Sequence, residues 1–151
     1  MLSQAASYAA AALGFVAAAS GKAVLVREIA SATGAPGAYL AKIIQMLARR
    51  GLVSTQRGVG GGVTLSRAAD EISLLDICTA LDEPVAENRC MLGLRDCSQE
   101  RPCPAHEFWS AQRAVLMEFL KKTTIADVAA FETRRRWKQV DGIEAGGQGG
   151  D

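Results

Sequence analysis

Apolar and polar positions follow three different rhythms along this chain, and the changes of rhythm mark its elements. From Ser3 to about Ala19 nearly every position is small and apolar, with alanine dominant. Ser3 suits an N-cap and Ser20-Gly21 a stop, so this run predicts a first, closely packed helix. A shorter helix is predicted over Val26 to Thr33, with Ile29 and Ala30 inward and Gly34 as its C-terminal stop. Pro36 fits the first turn of a third helix, which runs to Arg50 with Leu40, Ile43, Ile44 and Leu47 at helical spacing. Gly51 ends it, and Arg49 and Arg50 in the last turn complement the helix dipole.

The period then changes to two. Leu52 to Gln56 reads as a strand and Val63 to Leu65 as its partner, joined by Arg57-Gly58-Val59-Gly60-Gly61-Gly62. Three helices followed by a hairpin is the order of a winged helix-turn-helix domain, whose recognition helix enters the major groove of DNA. A glycine-rich tip lets the backbone approach phosphates or the minor-groove floor, with Arg57 as the side chain to insert there. A phosphate-binding loop of an NTPase is the competing account. It fails because the Gly-x-x-x-x-Gly-Lys-Ser/Thr pattern is absent and no long helix follows at once. The candidate DNA contacts are therefore Arg27, Tyr39, Lys42, Gln45, Arg49, Arg57, Gly58, Gly60 and Gly61.

Beyond the hairpin, Ser73 caps a fourth helix, with Asp76 at the third position, that ends before Pro84. A loop broken by Pro102 and Pro104 follows, and from Ala105 a long amphipathic helix is predicted to about Lys122. Its apolar residues Phe108, Trp109, Val115, Leu116, Phe119 and Leu120 exceed what a small winged domain can cover. A homodimer is expected on that ground, and an inverted-repeat operator in double-stranded DNA demands the same symmetry. Thr124 and Asp127 open a short helix, Ile125 to Phe131. The expected organisation is a DNA-binding domain over 1–83, a loop over 84–106, a dimerisation helix with a short following helix over 105–133, and a disordered tail over 134–151. The fold class is mainly α with a small β-hairpin wing.

Charge sharpens this picture. Residues 1–67 carry seven Lys and Arg against one acid, Glu28, a balance of +6 hidden inside a total of +1. The remainder balances at −5, so the first half is suited to a polyanion and the second to other work. The alanine-rich start lacks the basic leading region of a signal peptide, and no stretch of 18 apolar residues occurs. A cytoplasmic protein without a membrane segment is expected.

The chemistry is concentrated in Cys90-Met-Leu-Gly-Leu-Arg-Asp-Cys97-Ser-Gln-Glu-Arg-Pro-Cys103-Pro-Ala-His106. Three of the four cysteines and the single histidine fall in this stretch, amid residues too polar to bury three sulfurs. Thiolate and imidazole are ligands for soft or borderline metals and iron–sulfur clusters. Cys103 and His106 stand one helical turn apart. Cys78, within an apolar helical run, reads instead as core packing. The residues leave three accounts open: a cluster, a structural zinc ion, or metal-free thiols that pair on oxidation. A thiol oxidoreductase lacks its Cys-x-x-Cys motif, so no enzyme is expected.

The wing Leu52-Val-Ser-Thr-Gln-Arg57-Gly-Val-Gly-Gly-Gly62, the stretch Ile77 to Glu83, the three spaced cysteines and Thr123 to Asp127 together resemble the Rrf2 family of bacterial transcription regulators, over about residues 1–133. The resemblance implies a homodimeric repressor or activator whose operator affinity follows the state of an iron–sulfur cluster, through redox change, nitric oxide or iron supply. Cys90, Cys97 and Cys103 match the family's cysteine ligands, and His106 stands where its cluster regulators have a histidine ligand. Nitric-oxide-sensing members take an aspartate from the first helix, but Ala6-Ser7-Tyr8-Ala9 offers no carboxylate. The resemblance therefore implies a [2Fe–2S] cluster rather than [4Fe–4S]. On the recognition helix, Ala41-Lys42 replaces a familiar Glu-Gln, so the operator sequence does not carry over.

Overall fold

The computed structural model describes residues 2–93 and 96–144, with 135–144 described by their backbone path alone. Helix α1 (Gln4–Ala18) starts at Ser3, whose hydroxyl accepts from Ala6 N–H at 3.1 Å. Ser3 is itself held by Glu83, a largely buried carboxylate that accepts from its hydroxyl and its backbone N–H. Helix α2 (Val26–Thr33) has half a capping box: Glu28 accepts from Leu25 N–H at 2.8 Å, while Leu25 has no side-chain acceptor to return the bond. In α3 (Gly37–Arg49) the predicted inward residues Leu40, Ile43, Ile44 and Leu47 are all buried.

Strands β1 (Val53–Gln56) and β2 (Gly62–Leu65) pair antiparallel, with Val53 opposite Leu65 and Gln56 opposite Gly62. A third partner is absent from the sequence reading. Val24 exchanges backbone bonds of 3.0 and 2.8 Å with Val63, which roots the wing in the α1–α2 connection. Gly62 makes this contact possible. It has φ of +140°, and a Cβ there would stand 2.7–3.0 Å from Val24 backbone atoms.

Helix α4 (Leu74–Ala80) carries the predicted capping box: Asp76 N–H donates to the Ser73 hydroxyl at 3.1 Å, and Ser73 N–H to Asp76 at 2.8 Å. Helix α5 (His106–Lys122) begins one residue after its expected start, with Ala105 as its cap. Helix α6 follows from Ile125, opened by the same device in Thr124 and Asp127. The two starts lie side by side, because Leu74 N–H donates to Thr123 O at 2.9 Å and Ile125 N–H to Ile72 O at 2.8 Å.

Helix α6 runs Ile125–Glu144, well past Phe131. Residues 132–144 are rich in Glu, Arg, Lys and Gln and lack proline, so helical propensity carries on where the apolar period stops. The part of the expected tail over 145–151 lies outside the described residues. Helix α6 folds back on α1 at Gly14, where a Cβ would come within 2.9 Å of Val128 Cγ1. The core is continuous from Leu13, Ile29 and Leu40 in the first half to Ile77, Leu120 and Ile125 in the second. No helix among the described residues is long and apolar enough to cross a membrane.

Two outcomes follow from this packing. Gly62→Ala forces a strained φ and a backbone clash, and should lower unfolding free energy in urea by about 2 kcal/mol or more. Cys78 is buried in the core, and desolvation, aided by Glu83, pushes its thiol up to about 11 from 9.0. The folded state thus holds the proton longer than the unfolded state. The stability this contributes is complete below pH 9.0 and is lost as pH rises towards about 11. Iodoacetamide at pH 8 should modify Cys90, Cys97 and Cys103 in the folded metal-free protein but reach Cys78 only after denaturant is added, as mass spectrometry would count.

Candidate DNA interface and thiol–histidine centre

Two groups of side chains occupy different parts of the molecule. On the first, α3 turns Tyr39, Lys42, Gln45 and Arg49 outward, opposite its buried face. Arg27, from the first turn of α2, joins Gln45, Arg57, Gly58 and Gly61 around an open cleft of about 510 Å³ between α2, α3 and the wing. The structure therefore brings together five of the nine candidate contacts in one cleft. Tyr39, Lys42 and Arg49 extend the same helix face, and Gly60 lies in the wing turn closed by Gly61 N–H donating to Gly58 O at 3.0 Å. Tyr39 is not wholly free, since its ring meets Tyr8 edge-on at 6.2 Å.

Among the described residues Arg27, Lys42, Arg49 and Arg57 enter no ion pair, whereas Arg50 and Arg67 are engaged by Asp82 and Asp76. Unpaired cations on one face leave their charge available to phosphates. Thr55 and Gln56 also line the cleft, and the sequence reading passed over them. Their signal was position alone, at the exposed end of the strand that leads into Arg57.

The second group is the cysteine loop. After a 3₁₀ turn over Pro84–Ala86, Cys97 N–H donates to Asn88 O at 2.9 Å and the Asn88 amide donates to Cys97 O at 3.2 Å. A backbone bridge between Arg89 and Asp96 completes a small hairpin that folds Cys90 and Cys97 back towards the start of α5. The four predicted donors meet there as two pairs. Cys90 Sγ lies 3.4 Å from Cys103 Sγ, and Cys97 Sγ lies 3.3 Å from His106 Nδ1. All four residues are half-buried.

The Leu92 backbone N–H, and after it the Cys103 thiol, holds the Cys90 thiol below its usual range. Cys103 is pushed up, first by its hydrogen bond to Cys90. Within this pair Cys90 is therefore the more acidic thiol. Two ligands on one tetrahedral ion, with bonds of about 2.1–2.3 Å, stand roughly 3.5–3.8 Å apart. Each pair is close to that span, so each could hold one ion. No group of three or more His, Cys, Asp or Glu converges on a single point among the described residues. Cys78 stays in the core, away from both pairs, as its apolar surroundings predicted.

Known proteins share this chain's sequence pattern and fold. Residues 2–130 match the Rrf2 family, described as an iron-dependent transcriptional regulator. The HTH-type transcriptional regulator IscR of Sodalis glossinidius is 35% identical over 126 residues, covering 83% of this chain and 76% of that protein. Among solved structures, CymR (YrzC), the global cysteine regulator of B. subtilis, superposes with a TM-score of 0.71 at 26% identity, over 87% of this chain and 97% of that one. T. potens IscR shares the fold with a TM-score of 0.65 at 22% identity, over 100% of this chain and 93% of that one. Since the match takes in the recognition helix, the wing and the cysteine loop alike, this chain belongs to the Rrf2 family and is a DNA-binding transcriptional regulator rather than an enzyme.

Proposed function

We propose that this regulator is a homodimer whose operator affinity is set by an iron–sulfur cluster held by Cys90, Cys97, Cys103 and His106. One observation carries the reading: the donors stand as two pairs, Cys90 with Cys103 and Cys97 with His106, each at about the span of one ion. A [2Fe–2S] group has two irons, each with two protein ligands, and matches two pairs better than a lone zinc ion, which needs all four donors around one point. When bound, such a group supplies sensitivity to redox state, nitric oxide and iron supply. Cys97 and Cys90 come from the loop while His106 opens α5, so shared ligation ties the loop to the helix. Releasing any ligand frees the loop and alters how the two DNA-binding faces are spaced.

The dimer is supported by α5. Phe108, Val115 and Phe119 lie along one side of it with exposures of 61%, 69% and 56%, an apolar stripe that a second copy would cover. A two-fold pair of recognition helices then reads an inverted repeat.

A second reading rests on the same Cys90–Cys103 contact. At 3.4 Å the two sulfurs need little movement to form a disulfide, and the likeness to a cysteine regulator favours thiol sensing without a metal.

Protein purified without oxygen separates the readings. The cluster reading expects a brown protein with about two iron and two acid-labile sulfide per chain, and Cys90→Ala should lose both together with the change in operator affinity. Colourless protein that refuses reconstitution, yet forms a Cys90–Cys103 bond with peroxide, would establish the thiol reading. One zinc per chain would overturn both. DNA affinity should fall steeply with salt, and Arg57→Ala should weaken binding and reduce the slope of log affinity against log salt by about one unit per chain.

A further inference from the structure

We propose that Trp109 and Arg113 are positioning residues that clamp the Cys90 limb of the loop onto α5 and thereby set the distance between Cys90 and Cys103. What that distance serves rests on the cluster reading above, whereas the clamp is visible in the fold itself. Trp109 Nε1–H donates to Arg89 O at 2.9 Å. Arg113 donates from Nε and Nη2 to Glu87 O at 3.2 and 2.9 Å. The donors stand four residues apart on the helix, about 6 Å along its axis, and the acceptors two residues apart along the limb, about 6–7 Å of extended chain. Those spacings match, so the limb lies along the helix in one register.

His106, Trp109 and Arg113 follow one another at i, i+3 and i+7, which places a proposed ligand and both clamp residues on one face of α5. Arg89 O belongs to the peptide that joins Arg89 to Cys90, so the indole fixes the cysteine's own backbone. The ring has a second duty. With Leu2, Met91, Leu116 and Phe119 it walls an apolar cavity of about 660 Å³ that Cys90 also lines, and so gives the cysteine an apolar flank. Neither Trp109 nor Arg113 belongs to the buried core. Their contacts with the limb are the part of the fold that their loss would disturb.

Trp109→Phe keeps an aromatic, though smaller, ring and removes the N–H; Arg113→Gln removes the paired guanidinium donors; Arg113→Lys keeps one donor nitrogen. Each is made in the full chain and compared with the parent after anaerobic loading with iron and sulfide. Loss of the visible absorption to a chelator should be roughly tenfold faster in Trp109→Phe and Arg113→Gln, with Arg113→Lys between, while thermal midpoints stay near the parent's. In metal-free protein, amide hydrogen exchange at Cys97, whose N–H bonds to Asn88 O in the same small hairpin, should rise several-fold. Parental chelation rates in both Trp109→Phe and Arg113→Gln, or unchanged exchange at Cys97, would overturn the clamp. A parent that takes up neither iron nor sulfide overturns the cluster reading instead, and the exchange measurement then decides the clamp by itself.

Discussion

The short antiparallel pairing of residues 72–74 with 123–125 is the joint on which the architecture depends. It binds the start of α4 to the end of α5 and the start of α6, with a capped helix opening on either side of it. From this joint α4 leaves and α5 returns, so the two helices form an antiparallel pair closed at the far end by the cysteine loop. Their lengths differ. Seven residues of α4 cover about 10 Å and seventeen of α5 about 25 Å, so the chain after α4 must run beside α5 to reach its beginning. That mismatch is why Glu87 meets Arg113, Arg89 meets Trp109, and Cys90 arrives opposite Cys103.

The same joint sends α6 back across α1, where Gly14 admits Val128. The second half of the chain is therefore packed on the first rather than strung behind it. Glu83, at the exit of α4, adds a polar tie by holding Ser3 at the head of α1. A displacement of the 84–106 loop thus has two mechanical neighbours, α5 on one side and the start of α1 on the other. Under the proposed switch either would pass it on to α3, because protein interiors shift as packed units rather than deform continuously.

Electrostatics divides the surface in keeping with this layout. Unpaired cations gather around the α3 and wing cleft, and several acidic residues of the second half are engaged in local structure. Asp76 and Asp127 complete capping boxes, with the Thr124 backbone N–H and hydroxyl holding the Asp127 carboxyl below its usual range. Glu118 pairs with Lys122 along α5. Four of the seven cations of the first 67 residues, Arg27, Lys42, Arg49 and Arg57, thus share the α3 and wing face without an ion pair among the described residues.

Much of this was legible in the chain itself, because it depends on neighbours in sequence. Caps such as Ser3, Ser73 and Thr124, stops such as Gly34 and Gly51, the inward face of α3, the wing and the burial of Cys78 all follow from spacings within a few residues. The donors of the thiol–histidine group were visible as residue types, but not their partnership. Pairing Cys90 with Cys103 and Cys97 with His106 needs the small hairpin at Asn88 and the α4–α5 length mismatch. The tie of Val24 to Val63, the indole bond of Trp109 and the passage of α6 over α1 were likewise decided by the tertiary structure alone. Each joins residues far apart in sequence whose meeting depends on how whole elements pack, and no local pattern of apolar and polar positions encodes that.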